Sequence, residues 1–510
     1  MNDKRTILIV GGGTAGWLAA GYLARYLGIS EDGPLEILLL ESPDIGIVGV
    51  GEGTFPTIRN TLKFLGLNEA EFMRDTSATF KQGIRFADWV DGNDSFFHPF
   101  EAPFHTEGPG LVPYWLLQDE ASRLPFAQAM TFQKPVAEAQ RAPKRGPEGD
   151  FAAPLNYAYH FDAAKVAQAL ANRARELGVR HLQGILTGVA LAEDGAIDHL
   201  TTREHGVLKA DFYIDCSGFR AELIGRAMGE PATSVQPILF ADRALTCRVP
   251  YDQPEAPIES CTLATAHPAG WTWDIGLEQG RGVGCVYSAA HASDDEAERT
   301  LRAYLGPKAE QLSFRQIAFE SGYRPRHWVK NCVAIGLAGG FLEPLESTGI
   351  VLIEVAVGML AELFPHDGRW EAPAARFNAL MTQRYENIVN FLKLHYCLSR
   401  RDEPFWRDNR DAATIPDHLR DLLDQWRFRP PGRFDFVLDL EAFAFFNYQY
   451  ILYGMGFQTD LSAARGAYPN IESAEKTFAR IRSYGDHAVR DLPSHRALIR
   501  QINRTTARVA

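Results

Sequence analysis

The spacing of hydrophobic and polar positions changes several times along this 510-residue chain, and each change marks an expected element. Residues 6–10 and 35–40 are unbroken apolar runs, the pattern of strands covered on both faces of a parallel sheet. Helical spacing follows the first run as far as Leu27 and returns over 56–65, 69–76, 163–177, 294–304, 350–363, 374–399 and 471–488. Asp162 is placed to cap the third of these helices. Alternation predicts one strand over 80–90, with Lys81 near its start, then a polar turn at 91–94 and the aromatic run Phe96, Phe97, His98, Pro99, Phe100. Short strands are expected near 179–183, 185–191, 197–200, 207–210, 212–215 and 332–335. Residues 237–250 and 261–289 read as strands of a second, mostly antiparallel sheet with turns at 267–270 and 279–284. Residues 141–150 read as a charged surface loop, 434–453 as an aromatic tract of undecided period, and 497–510 as a terminal segment.

Together these elements predict an α/β protein: a Rossmann-like nucleotide-binding core, an inserted mostly antiparallel sheet on the substrate side, and a helical C-terminal region. The core is expected to be discontinuous within 1–370, from segments of about 1–90, 155–235 and 325–370, with 371–510 completing the substrate pocket. A net charge of -12 without a basic block argues against nucleic acid as a partner. The cysteines are scattered without a C-x-x-C pair, as expected of buried thiols in a reducing compartment and not of a disulfide framework or metal site. Residues 1–5 form only a short polar start, so no signal peptide is expected. The most apolar region, 332–364, is broken by Glu343, Glu346, Glu354 and Glu362, which suits a buried core better than a membrane span. A cytoplasmic protein is the expectation.

Candidate chemistry begins where the first apolar run meets Gly11, Gly13 and Gly16 in G-x-G-x-x-G spacing. Gly11 permits a tight turn, Gly13 lets a pyrophosphate approach the backbone, and Gly16 lets the helix lie close to the sheet. Glu41 ends the second run, where a carboxylate accepts hydrogen bonds from a ribose and repels a 2′-phosphate; FAD or NAD therefore fits better than NADP. Glycines at 46, 49, 51 and 53 suggest backbone pressed against a ligand or a strap over it. Asp215-Cys216-Ser217-Gly218 closes a later strand, a suitable second contact for the cofactor. Lys81 would be a nucleophile or cation if it faced a pocket, although the local pattern alone also fits an exposed strand lysine. The amides of Thr348 and Gly349, at a helix start behind Glu343, Glu346 and Ser347, suit a small anion, with ordinary capping as the plainer reading. Trp271 and Trp273, two apart in a strand, share one face.

In order and in detail these segments resemble the flavin-dependent tryptophan halogenase family. The most specific matches are Phe80-Lys81 and the run Leu342-Glu343-Pro344-Leu345-Glu346-Ser347-Thr348-Gly349-Ile350, and the likeness extends from residue 6 to about 406. The resemblance implies a two-component enzyme in which a flavin reductase supplies FADH2. Oxygen and chloride or bromide then yield hypohalous acid, which travels through a tunnel to an electron-rich, indole-like substrate. It implies cofactor contacts at Gly11, Gly13, Thr14, Ala15, Gly16, Glu41, Val48, Gly49, Asp215, Gly218 and Leu337, and halide contacts at Thr348 and Gly349. Lys81 would direct the electrophile by hydrogen bonding or as a haloamine, and Glu346 would orient it or take the arene proton. His98 and Phe100 would sandwich the ring, while Trp271 and Trp273 would screen the flavin from it. Two features depart from the family pattern. Gly276 stands where the W-x-W-x-I-P signature has proline, and the aromatic tract 443–453 does not align with the clamp that holds free tryptophan, which favours indole or a larger indole. A homodimer stays open, as do an FAD-dependent aromatic monooxygenase and a non-catalytic flavin-binding protein as alternative functions.

Overall fold

The computed structural model describes residues 4–46, 51–104, 110–436 and 442–504. The chain divides into two compact units: Met1–Ala78 with Phe161–Gln236 and Glu320–Glu386, and Thr79–His160 with Pro237–Phe319 and Asn387–Ala510.

The first unit is built on a six-stranded sheet in the order Trp328–Val329, Cys332–Ala334, Phe212–Asp215, Arg5–Val10, Leu35–Glu41, Arg180–Gln183. All neighbours are parallel except the first pair. Ile7, Leu8 and Ile9 are at most 1% exposed, which is why the run is continuous rather than alternating: helices and loops cover both faces. The helices Thr14–Tyr26, Ala163–Glu176 and Thr348–Glu362 belong to this unit. Asp162 caps the second of them by accepting from the amides of Ala164 and Lys165, as its position predicts.

The second unit holds a seven-stranded sheet in the order Arg315–Ala318, Arg243–Pro250, Gly280–Tyr287, Gly270–Gly276, Thr262–His267, Gly83–Ala87, Ser95–Pro99. Only the Thr262–His267 and Gly83–Ala87 pair is parallel. Buried and half-buried positions alternate along Thr262–His267, as expected where the two faces of a sheet have different environments. The helices Asp417–Trp426, Phe445–Gly454, Ile471–Asp491 and His495–Arg504 complete the unit. The architecture is thus mixed α/β, with a Rossmann-like sheet, an antiparallel sheet and a helical C-terminal region.

Four local expectations change. The single strand over 80–90 is two strands, Thr79–Lys81 and Gly83–Ala87, belonging to different sheets. The switch requires Gly83, since a Cβ there would stand 2.4 Å from the His98 carbonyl oxygen. Residues 445–454 of the undecided tract are helical, and 495–504 form a helix instead of a loose end. Within 141–150, Ala142 and Lys144 are buried, because Ala142 donates its amide to the Pro493 carbonyl and Lys144 donates to the Gly149 carbonyl. Among the described residues no helix is long and apolar enough to cross a membrane. All six cysteines are free thiols.

Candidate active site

In the first unit the glycine turn is shaped by close backbone approach. Gly11 has φ +120°, and a Cβ on it would lie 2.1 Å from the Cys216 carbonyl oxygen. A Cβ on Gly16 would lie 1.8 Å from the Gly11 oxygen. Gly13 is different: nothing lies within 4 Å of its Cβ position. It is the N-cap of Thr14–Tyr26, and no side chain caps that helix. The turn therefore presents an open approach to the amides of Thr14, Ala15 and Gly16, which a helix leaves without partners of its own. Gly12, which carried no role in the sequence reading, is needed too, because its Cβ would overlap the Glu41 side chain. A Glu41 carboxylate oxygen lies 2.9 Å from His181 Nε2, and the His181 ring stands edge-on to Trp17 at 4.9 Å. Glu41 stands at the end of its strand, beside the turn, with the His181 ring next to its carboxylate.

Asp215 is fully buried and serves its own loop: it accepts from the amides of Ser217, Leu223 and Ile224 and from the Ser217 hydroxyl. It holds the turn that carries Gly218, which has φ +74° and open space at its Cβ position. Leu337 is half-buried in the Gly336–Ala338 turn. That turn rests on the first helix, since a Cβ on Gly336 would come 2.7 Å from the Ala15 methyl. Val48 and Gly49 lie outside the described residues.

The second feature of this unit is the run from Glu343 to Gly349. Pro344–Glu346 makes a single 3-10 turn, and Ser347 then takes a left-handed conformation (φ 58°, ψ 40°) before Thr348–Glu362 begins. A non-glycine residue in that region costs about 1–2 kcal/mol and is retained where the surroundings demand it. Ser347 makes no capping hydrogen bond, so the ordinary capping reading does not hold for it. Glu346 and Thr348 are each 1% exposed, whereas Gly349 is exposed with nothing within 4 Å of its Cβ position. The start of a 15-residue helix is thus left open to an anion.

In the second unit Lys81 ends the Thr79–Lys81 strand, whose partner across the ladder is Ala158. The lysine is 0% exposed, which excludes the exposed-strand alternative, and its ammonium stands 5.3 Å from the centre of the Phe100 ring. Burial, followed by the Lys81 charge, holds the nearby His160 imidazole well below the usual histidine range. The Phe100 backbone is clamped by residues the sequence reading missed. Its amide donates to Gln133 Oε1 (2.8 Å), its carbonyl accepts from Asn156 Nδ2 (3.1 Å), and Gln133 Nε2 donates to the Asn156 carbonyl (2.6 Å). No local pattern distinguishes these amides, because each acts on backbone distant in sequence.

His98 is 2% exposed; its Nε2 lies 2.9 Å from Asn447 Oδ1, and the Phe391 and Tyr450 rings are about 6 Å away. Trp271 is 1% exposed and packs near Trp89 and Trp273. Trp273 lies half-buried over Gly284, where any Cβ would overlap its ring. Gly276 is held in register opposite Arg281, and its carbonyl accepts from the Thr79 hydroxyl. Its Cβ position is 2.8 Å from Ile258 Cγ2, so sheet pairing and crowding restrain this position in place of a proline ring.

Residues 6–467 match the family model described as tryptophan halogenase. The chain belongs to the tryptophan halogenase family. Tryptophan 6-halogenase SttH of Streptomyces toxytricini is 35% identical over 96% of each chain. The crystal structure of a tryptophan halogenase from Shewanella frigidimarina is similar at TM-score 0.94 and 38% identity, covering 99% of this chain and 98% of that one. BrvH, a flavin-dependent halogenase from Brevundimonas, is similar at TM-score 0.87 and 33% identity, covering 98% and 100%. This chain is a flavin-dependent halogenase that uses FAD and halide. The residues present fit FAD: the open cradle at Gly13, the uncapped helix start and the acid at the second strand end suit its pyrophosphate and ribose.

Proposed function

We propose that this halogenase places chlorine or bromine on indole or an indole-bearing arene, with Lys81 and Glu346 as its catalytic residues. The observation that carries the reading is the fully buried Lys81 ammonium over the Phe100 ring. Bound reduced FAD supplies two electrons, so that with oxygen, halide and a proton the balance is oxidised FAD, hypohalous acid and water. The amides of Thr348 and Gly349 hold the halide. A helix end contributes about 0.3–1 kcal/mol to an exposed anion and up to about 2 when partly buried, so direct N–H bonds and desolvation supply the rest.

Lys81 donates a hydrogen bond to the oxygen of hypohalous acid and polarises the oxygen–halogen bond. The arene carbon takes the halogen, the released hydroxide takes a proton from the Lys81 ammonium and leaves as water, and Glu346 accepts the proton lost from that carbon; exchange with solvent returns both groups to their starting charge. His98 and Phe100 hold the ring flat, and Trp271 and Trp273 separate substrate from flavin. Gly11, Gly13, Thr14, Ala15, Gly16, Glu41, Val48, Gly49, Gly218 and Leu337 bind FAD, with Asp215 setting the second turn.

The preference for indole over free tryptophan is supported by the aromatic tract. Residues 442–454 contain no acidic side chain; Tyr448 donates to the Asn387 carbonyl, and the Tyr453 hydroxyl bonds that of Thr459. A buried zwitterion needs paired charges, and this stretch offers none. Asn447 on His98 supports a role for the C-terminal region in completing the pocket. The unpaired thiols suit a reducing cytoplasm, where a flavin reductase is the working partner.

The test is product mass spectrometry with FAD, a flavin reductase, NADH, oxygen, bromide or chloride, and a panel of indole, tryptophan and larger indoles, with catalase-treated and Lys81→Ala samples alongside. Expected is a monohalogenated indole that survives catalase and falls at least about a hundredfold in the variant. Halogenation of tryptophan alone would overturn the substrate reading. Undiminished halogenation by Lys81→Ala would overturn the role of Lys81.

A further inference from the structure

We propose that His495 is a positioning residue for the lysine strand, accepting the Phe80 amide and so setting where the Lys81 ammonium stands; this rests on the role given to Lys81 above. Thr79–Lys81 is only three residues long and pairs through Thr79 with His160, Phe80 with Tyr159 and Lys81 with Ala158. It has no second strand neighbour among the described residues. So short a ladder does not fix its own position.

The open edge is held by other groups. Gln82 donates its amide to the Ser260 carbonyl at 2.7 Å, and the Thr79 hydroxyl bonds the Gly276 carbonyl. Between these tethers the Phe80 amide donates to His495 Nε2 at 2.9 Å. Of the three acceptors, His495 is the one side chain, so its substitution removes a tether while leaving the residues of the strand itself unchanged.

The roles of its two nitrogens are set by their partners. Nδ1 lies 3.2 Å from the Ile258 carbonyl oxygen, which can only accept, so Nδ1 carries the proton and Nε2 offers its lone pair. The ring is 0% exposed and lies 5.8 Å from the Phe80 ring. Burial pushes its pKa down to about 4, so the accepting form persists at neutral pH. Lys81 is the next residue, and successive side chains of a strand face opposite ways. A shift of Phe80 toward or away from His495 therefore moves Lys81 relative to Phe100. Misplacement of a reacting group by about 1 Å costs on the order of a hundredfold in rate.

The test uses full-length His495→Asn, His495→Gln and Lys81→Ala with the flavin reductase. It measures halogenated indole per NADH consumed, hypohalous acid caught by a soluble halogen acceptor, the KM for indole, thermal unfolding, and hydrogen exchange at the Phe80 amide. Asparagine reaches the Nδ1 position but not Nε2, whereas the glutamine oxygen reaches Nε2. Expected for His495→Asn is a yield lower by about tenfold, more hypohalous acid in solution, unchanged NADH use and KM, and faster exchange at Phe80. His495→Gln should stay within about twofold of the parent in yield and exchange. A folded His495→Asn with parental yield, or a His495→Gln as impaired as His495→Asn, would overturn the proposal. If His495→Asn does not fold, His495→Gln decides alone, and a folded variant below about a tenth of parental yield sinks the idea. If Lys81→Ala keeps its yield, the role of Lys81 fails, while exchange at Phe80 still judges the tether.

Discussion

The two units carry their chemistry in different parts of the chain. Around Gly11–Gly16 and Ser347–Gly349 the groups proposed to work are backbone: amides at helix starts with no side-chain cap, beside Gly13 and Gly349, whose Cβ positions are open. Around Lys81 they are side chains, held by Gln133, Asn156, Asn447 and His495 from distant segments. A parallel sheet covered on both faces leaves mainly its strand ends for a ligand, whereas a sheet with a free face can present side chains to one. Local sequence is thus enough to locate the first kind of site and not enough to assemble the second.

The sharpest way to break this comparison is to add one methyl group at two glycines of the same turn. Gly16→Ala puts carbon 1.8 Å from the Gly11 oxygen and should lower stability by about 3 kcal/mol or more, with loss of FAD binding. Gly13→Ala meets no protein atom and should leave unfolding of the FAD-free protein within about 1 kcal/mol while weakening FAD about tenfold. Thermal unfolding and FAD fluorescence titration check both. Equal effects of the two substitutions on stability would remove the distinction between protein-imposed and ligand-imposed glycines.

A smaller effect is expected from a side chain in the backbone-dominated unit. Glu354, on the helix that begins at Thr348, is 8% exposed and accepts from the hydroxyls of Thr57 and Thr61; burial raises its carboxyl to about 7. The folded state therefore binds a proton that the unfolded state has released, so stability falls as pH rises from about 4.5 to 7 and is level above that. The contribution is at most about 3 kcal/mol. Glu354→Gln should remove that slope in melts taken from pH 5 to 8.5, with the KM for halide unchanged. A shifted halide KM would mean that side chains govern this site as well.

The smallest effect belongs to Gly276→Ala, whose Cβ would come 2.8 Å from Ile258 Cγ2. The Ile258 methyl can give way, so a loss of about 1 kcal/mol in denaturant unfolding is expected, with product per NADH unchanged. A marked fall in that ratio would make Gly276 part of the coupling machinery.

The sequence alone located the glycine turn, the acid at Glu41, the cap at Asp162 and the helix following Thr348, because each depends on neighbours a few residues away. It also carried the family, through Phe80-Lys81 and the run around Glu346. Alternation over 80–90 hid the switch at Gly83, since two short strands in different sheets keep the period of one. The tertiary structure alone decided that Lys81 is buried against Phe100, that Asp215 spends its oxygens on its own loop, and that a histidine 414 residues beyond Lys81 accepts the Phe80 amide. The physical reason is range: turns and helix ends are set by local dihedral and hydrogen-bond preferences, whereas burial and side-chain partners depend on which distant segments the folded chain brings together.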